Sequence, residues 1–314
     1  MFRLKAAIAA AAVWLVLFCP GGAFAAGKTV GVIFTGDLPR YQEAHRAFVS
    51  TLARAGFDQS KVSIYVQTPN PDPMSWANSA RKFAGVGVDV IVAYGAPAAL
   101  AAVKEAHGIP VVFAFVYDPA LCGVKKSNST GVSSKVPMVT LLKTMRSISP
   151  YSKLGVLYNS EERDSVIQYE EAGKISGALG FQVKGMAVRS AGEVRPKAAR
   201  LASEVNCLLI SCSAVVDKEV GGIISAANRS GIPTLSQVGG QSEKGVLLAL
   251  APSSAEQGEM AAQETARILR GESPASIGVE GARKIDLVLN LKAASALNLK
   301  VPFDVLNAAT KVIK

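Results

Sequence analysis

The chain has 314 residues, 34 Lys+Arg against 24 Asp+Glu for a formal net charge of +10, and a 49% hydrophobic share, enough for two cores. Its basic residues are scattered, with no run of five or more and no interleaved aromatics, which argues against nucleic acid as a partner. Two histidines, His45 and His107, without His-Glu-x-x-His or Cys-x-x-Cys spacing, leave no metal site or cofactor expected.

Arg3 and Lys5 open the chain, Ala6 to Phe18 is an apolar run, Pro20-Gly21-Gly22 breaks it, and Ala23-Phe24-Ala25 has small-x-small spacing. That order is a secretory signal peptide cleaved after Ala25. The run is too short for the roughly 20 apolar residues of a membrane-spanning helix. Phe18 before Cys19 disfavours a lipid anchor. The mature chain then carries 32 basic and 24 acidic side chains, a net +8. It keeps three cysteines, Cys122, Cys207 and Cys212, so at least one thiol is unpaired. Cys207 and Cys212 are expected on opposite faces of one strand.

Short apolar runs then alternate with amphipathic stretches. Strands are expected at 29–34, 61–67, 88–94 and 110–116, and helices at 38–55, 73–86 and 97–107. Pro73 and Pro97 sit where the first turn of a helix tolerates proline. A second set follows, with strands at 153–158, 182–188, 206–211 and 232–236, and helices at 164–178, 192–204 and 215–229. A strand at 245–250, a helix at 253–270, a strand near 285–289 and a short helix with a tail from Leu291 complete the chain.

The two sets repeat one another. Val30-Gly31-Val32-Ile33-Phe34 resembles Leu154-Gly155-Val156-Leu157-Tyr158, and Gly108-Ile109-Pro110 recurs as Gly231-Ile232-Pro233. The period far exceeds that of a solenoid. Continuous apolar strands alternating with helices predict an α/β fold of two similar Rossmann-like lobes, each a parallel sheet flanked by helices. Three crossover strands near 117–133, 240–252 and 279–286 are expected to form a hinge. The expected division is 26–118 with 250–281 for lobe one, and 119–249 with 282–314 for lobe two.

Ligands of open parallel sheets sit at the carboxyl ends of strands, beside helix N-termini. On lobe one this selects Thr35-Gly36-Asp37, Tyr94-Gly95-Ala96-Pro97 and Phe115-Val116-Tyr117-Asp118; on lobe two it selects Asn159 to Ser165, Ser211-Cys212-Ser213 and Gln237-Val238-Gly239-Gly240. Tyr94, Tyr117 and Tyr158 offer flat apolar contact. Ser213 and Asp164 could equally be helix caps, and Asp118-Pro119 a turn. Asn159 is the polar residue that capping does not account for. Glu161-Glu162 reads as a solvated loop start. No Gly-x-Ser-x-Gly elbow or acid/base pair stands out, so binding without turnover is expected.

Taken in order, Val88-Asp89-Val90-Ile91-Val92 with Pro97-Ala98, Ile109-Pro110-Val111-Val112-Phe113, Tyr117-Asp118-Pro119, Gly131-Val132-Ser133, Gly155-Val156-Leu157-Tyr158-Asn159 and Asp286-Leu287-Val288-Leu289-Asn290-Leu291-Lys292-Ala293-Ala294 resemble the tryptophan/tyrosine-binding substrate-binding proteins of ABC importers, over essentially the whole mature chain. The resemblance implies a type I periplasmic-binding fold and capture of an amino-acid-like ligand for delivery to an inner-membrane permease. It carries pocket roles to Ala96, Pro97, Asp118 and Ser165. Where that family places a Thr-Asp-Asn-like turn this chain has Ser211-Cys212-Ser213, and where it has an acidic, hydroxyl-rich turn this chain has Gln237-Val238-Gly239-Gly240. The carboxylate suited to an α-amino group is missing at both places. A monomeric periplasmic binding protein for a small molecule is the expectation, with a sensing module for a membrane receptor as the alternative.

Overall fold

The computed structural model describes residues 27–314; the leader expected at residues 1–25 lies outside the described residues. Strand β1 (Lys28–Phe34) is buried from Val30 onward. Its Val30, Val32 and Phe34 face one core, while Ile33 faces another on the opposite side of the sheet. Lobe one continues as α1 (Pro39–Arg54), β2 (Val62–Gln67), α2 (Pro73–Val86), β3 (Val90–Tyr94), α3 (Ala96–Glu105), β4 (Val111–Val116) and β5 (Ser129–Ser133). Lobe two holds α4 (Met138–Ile148), β6 (Lys153–Asn159), α5 (Arg163–Leu179), β7 (Gln182–Val188), α6 (Ala191–Ala202), β8 (Cys207–Ile210), α7 (Ala214–Lys218), α8 (Val220–Arg229), β9 (Thr234–Ser236) and β10 (Leu248–Pro252). The chain returns to lobe one for α9 (Ser254–Leu269) and β11 (Glu280–Gly281), then to lobe two for β12 (Ile285–Asn290), α10 (Leu291–Ala296), α11 (Phe303–Ala308) and β13 (Lys311–Ile313).

The first sheet has the order β11-β5-β4-β3-β1-β2 and is parallel throughout. The second has the order β13-β12-β10-β9-β8-β6-β7, with β10 and β12 antiparallel. Each order reverses at its first strand, between β1 and β3 in one lobe and between β6 and β8 in the other. Those reversals open the crevices in which ligands of such sheets bind.

The chain passes between the sheets at residues 134–137, at Ser253 and at 282–284. Strand β5 pairs with β4 in lobe one, so the first passage falls after Ser133 and not at 118. Strand β10 likewise belongs wholly to the second sheet. Two side chains at the start of α9 tie the passages together. Glu256 Oε2 accepts from the backbone N–H of Arg283 (3.0 Å) and Lys284 (2.7 Å). Gln257 accepts from the Phe115 N–H (3.0 Å) and donates to the Ser133 carbonyl (3.3 Å). Both side chains are buried, so these bonds are not replaced by water if lost.

Three elements differ from expectation. Helix α4 was not anticipated, although Leu141, Leu142, Met145 and Ile148 bury one face of it. The helix expected at 215–229 breaks at Glu219 into α7 and α8. Cys207 lies on β8, but the strand ends at Ile210, so Cys212 belongs to the turn beyond it.

Helices α1 and α9 touch through Gly258, where an added Cβ would lie 1.9 Å from the Ala44 carbonyl oxygen. Gly258→Ala is expected to destabilise lobe one by about 1–3 kcal/mol through overpacking. Gly173→Ala, on an exposed turn of α5 with nothing nearby, is expected to be neutral or stabilising by about 0.5–1 kcal/mol. Urea unfolding midpoints, lowered for Gly258→Ala and unchanged or raised for Gly173→Ala, check this packing.

Candidate ligand-binding cleft

The switch point of each sheet is filled by hydroxyl groups. In lobe one Thr35 donates to the Tyr94 carbonyl (2.7 Å) and accepts from the Ala98 N–H (3.3 Å). Gly95 follows with φ 94°, and a side chain there would meet Thr35 Oγ1 at 2.5 Å and the Tyr41 hydroxyl at 2.6 Å. Only glycine lets α3 start so close to α1. In lobe two Ser165 and Ser211 hydroxyls lie 2.6 Å apart, Ser211 donates to the Leu157 carbonyl (2.8 Å), and Ser165 accepts from the Asn159 N–H (2.8 Å). These hydroxyls shape the strand ends. Asn159 is engaged in the same way: its oxygen accepts from the Glu161 N–H (2.8 Å) and its amide donates to Glu162 (3.1 Å).

The two rims meet. Arg40, in the first turn of α1, forms an ion pair with Asp217 of α7, and both side chains are buried (7% and 2% exposed). Gly36 approaches Ala214 across the cleft. Tyr117 donates its N–H to Asp164 Oδ1 (3.0 Å) and its hydroxyl to Glu171 (2.9 Å), and Cys122 Sγ donates to Asp164 (2.7 Å). Gln237 donates to the Val136 carbonyl of the first passage (3.0 Å). The lobes are therefore closed on one another.

Two of the spaces between them bear on the cleft. One, of about 280 Å³, is lined from lobe one by Trp76, Ala96, Pro97 and Cys122, and from lobe two by Glu161, Glu162 and Arg163. The other, of about 20 Å³, lies deeper, among Arg40, Phe115, Ser134, Cys212, Gln237 and Gly239. Of the segments singled out by sequence, Ala96 and Pro97, Phe115, Glu161 to Arg163, Cys212 and Gln237 to Gly239 line these spaces. Tyr94 does not: it is fully buried in an aromatic group with Phe34, Tyr41 and Phe115. Tyr158 stacks on Tyr169 at 4.6 Å, also outside the lining residues. Asp118 holds a turn, accepting from the Leu121 N–H (3.1 Å) and Lys135 (3.1 Å). Ser213 caps α7 through the Val216 N–H (3.2 Å).

Sequence reading missed Arg40, Trp76 and Asp217, and placed Glu162 wrongly. Glu162 is 5% exposed, not solvated, because it accepts from Ser213 (2.7 Å) and from the Ala214 and Val215 N–H groups (2.8 and 3.3 Å) at the start of α7. Arg40 and Trp76 both stand in the first turn of a helix that follows a strand: Arg40 lies three residues past Asp37, and Trp76 follows β2, whose end was not among the loops considered. Trp76 is fixed by an indole N–H bond to the Thr35 carbonyl (2.9 Å).

Burial sets the electrostatics of this region. It raises Asp164 to about 7 despite the bonds from Cys122 and Tyr117, and raises Glu162 against four donors. Burial works the same way on Asp217, but Arg40 and Lys244 overcome it and hold that carboxyl below its ordinary value. Among the described residues no group of three or more His, Cys, Asp or Glu side chains is arranged to hold a metal ion. No described helix is long and apolar enough to cross a membrane.

Two parallel-sheet lobes that close on a cleft through a three-passage hinge define a type I periplasmic-binding protein. The chain belongs to the ABC transporter substrate binding protein family, whose sequence profile matches residues 29–313. Members of this family are substrate-binding components of ABC transporters, and that is the role of this chain. It is 23% identical over 281 residues to a tyrosine-binding protein of Clostridioides difficile, covering 87% of this chain and 81% of that one. It superposes on an ABC domain from Streptococcus pneumonia in complex with L-Trp with a TM-score of 0.88 and 23% identity, covering 92% and 100% of the two chains. Against the ligand-free, open structure of a substrate binding protein with adhesive properties from Clostridium difficile the TM-score is 0.69, at 25% identity and 91% and 99% coverage.

The raised acids fix a pH response. Burial raises Asp164 to about 7, and Glu264, whose buried oxygens have no partner among the described residues, to about 8. The folded chain therefore binds these protons more tightly than the unfolded chain. Their stabilisation is complete below about pH 4 and is lost as pH rises through 7 and 8, at no more than about 1.4 kcal/mol per pH unit per group. Calorimetric melting between pH 5 and 8 is expected to show a falling Tm that is flatter in Asp164→Asn and in Glu264→Gln. Full retention of the slope in both variants would place the titration elsewhere.

Proposed function

We propose that this chain works outside the cytoplasmic membrane, in the periplasm, as a monomer that captures one small ligand with an apolar body and a polar head and presents it to an ABC permease. The observation that carries this reading is the 280 Å³ space between the lobes, with the Trp76 indole, Ala96 and Pro97 on one wall and Glu161, Glu162 and Arg163 on the other. Its volume is at the lower end of small-molecule sites and too small for a polymer. The aromatic amino acids named for the two relatives above are ligands of that size, and they support the class of body without fixing the head group. Capture follows from closure. A ligand bridging Trp76 and Arg163 adds contacts that exist only when the lobes are together, so it shifts the population towards the closed form.

Titration calorimetry on residues 26–314 with a panel of amino acids, aromatic acids, purines and sugars tests the reading. One site per chain for an apolar-bodied compound is the expected result, and release of a chemically altered product would contradict it. Trp76→Ala is expected to weaken that binding by about 2 kcal/mol, roughly 30-fold, through lost apolar contact. Trp76→Phe should recover most of it.

A further inference from the structure

Helix α5 opens with an acid that the opposite lobe covers. Asp164 stands in its first turn on lobe two and is 3% exposed. It accepts from two groups of lobe one, the Tyr117 N–H (3.0 Å) and the Cys122 thiol (2.7 Å). One turn on, Ile167 packs into the lobe-one cluster that holds Ala96, Tyr117, Cys122 and Val124. The surface that meets Asp164 on closure is therefore largely apolar, and a carboxylate placed against it needs a countercharge or a proton.

No countercharge is offered. Glu162, two residues earlier, is a second buried acid whose like charge adds to the cost of ionising Asp164. Tyr117, Asp118 and Cys122 from lobe one and Cys212 beyond β8 are its other titratable neighbours, and none is a cation. The cations of this region are held by other acids: Lys135 by Asp118 and Glu171, Arg163 by Glu170, and Arg40 by Asp217. Lys104 and Glu105 of α3 reach the space lined by Glu161 to Arg163, which Asp164 does not line. Among the described residues Asp164 forms no ion pair.

Resting on the capture reading above, we infer that closure of the lobes takes up a proton at Asp164, so that ligand capture is coupled to proton binding. When the lobes part, both lobe-one donors leave and water reaches the carboxyl, which then ionises in the ordinary aspartate range. Closed, burial raises it to about 7. The closed form thus binds the proton more tightly than the open form. This advantage is complete below the open-state value and is lost as pH rises through about 7. A compound captured by closure then binds about tenfold more tightly at pH 6 than at pH 8.

The test needs no ligand. Trp14 lies before residue 26, so residues 26–314 hold one tryptophan, Trp76, which lines the space between the lobes and is 6% exposed. Its quenching by acrylamide reports opening of the cleft. In the ligand-free chain the quenching constant is expected to rise about twofold or more between pH 5 and pH 8 as Asp164 ionises. Asp164→Asn and Asp164→Ser, uncharged at every pH, are expected to lose that rise. Carbon-13 NMR of the Asp164 carboxyl in the native chain is expected to titrate well above the ordinary aspartate range. A level quenching constant in the native chain, an equal rise in the two variants, or an ordinary carboxyl titration would each overturn the inference and leave the capture reading standing. A calorimetric panel without a binder would remove the capture reading and leave proton-coupled closure in place.

Discussion

A guanidinium taken out of water costs several kcal/mol unless an anion meets it. Arg40 is on lobe one and its carboxylate partner, Asp217, on lobe two, so the closed arrangement is the one in which the guanidinium is both buried and matched. The same holds for Asp164, whose acceptor oxygen finds the Tyr117 N–H and Cys122 only across the cleft. Breaking a buried pair by removing one member costs about 3–5 kcal/mol, while the intact pair adds little stability beyond its desolvation cost. Such a pair selects one arrangement of the lobes instead of simply strengthening the fold.

The rest of the architecture serves that meeting. Two sheets with reversing strand order place four helix starts, those of α1, α3, α5 and α7, around one cleft. Hydroxyls at each switch point bind adjacent strands and loops together, so the rims move as rigid pieces. The flexible work is left to three short passages, and Glu256 and Gln257 at the start of α9 tie those passages to each other and to β4. Opening and closing then trade cross-lobe bonds for ligand contacts or water without disturbing either core.

Much of this was legible in the sequence because period and repetition are local signals. Val30 to Phe34 and Leu154 to Tyr158 announce buried parallel strands by their unbroken apolar runs, and the order of the repeats announces two lobes. Glu162, Arg40 and Asp217 were not legible. A buried carboxylate and a surface one have the same letter, and Glu162 is buried only because the N-terminus of α7, some fifty residues on, supplies its donors. Arg40 and Asp217 are 177 residues apart and meet only through closure. Asn159 failed in the opposite sense: its side chain looked unaccounted for, yet an Asx turn and Glu162 take up its groups. Helix α4 was present in the spacing of Leu141, Met145 and Ile148 but lay between the two repeats, where no strand-helix alternation pointed to it.

Small-angle X-ray scattering on residues 26–314 tests the central claim most directly, with and without a saturating compound that calorimetry shows to bind at one site. The account predicts a smaller radius of gyration with the compound, and a bound profile that fits the closed arrangement in which Arg40 meets Asp217. A bound profile identical to the free one, or one that fits only separated lobes, would contradict it.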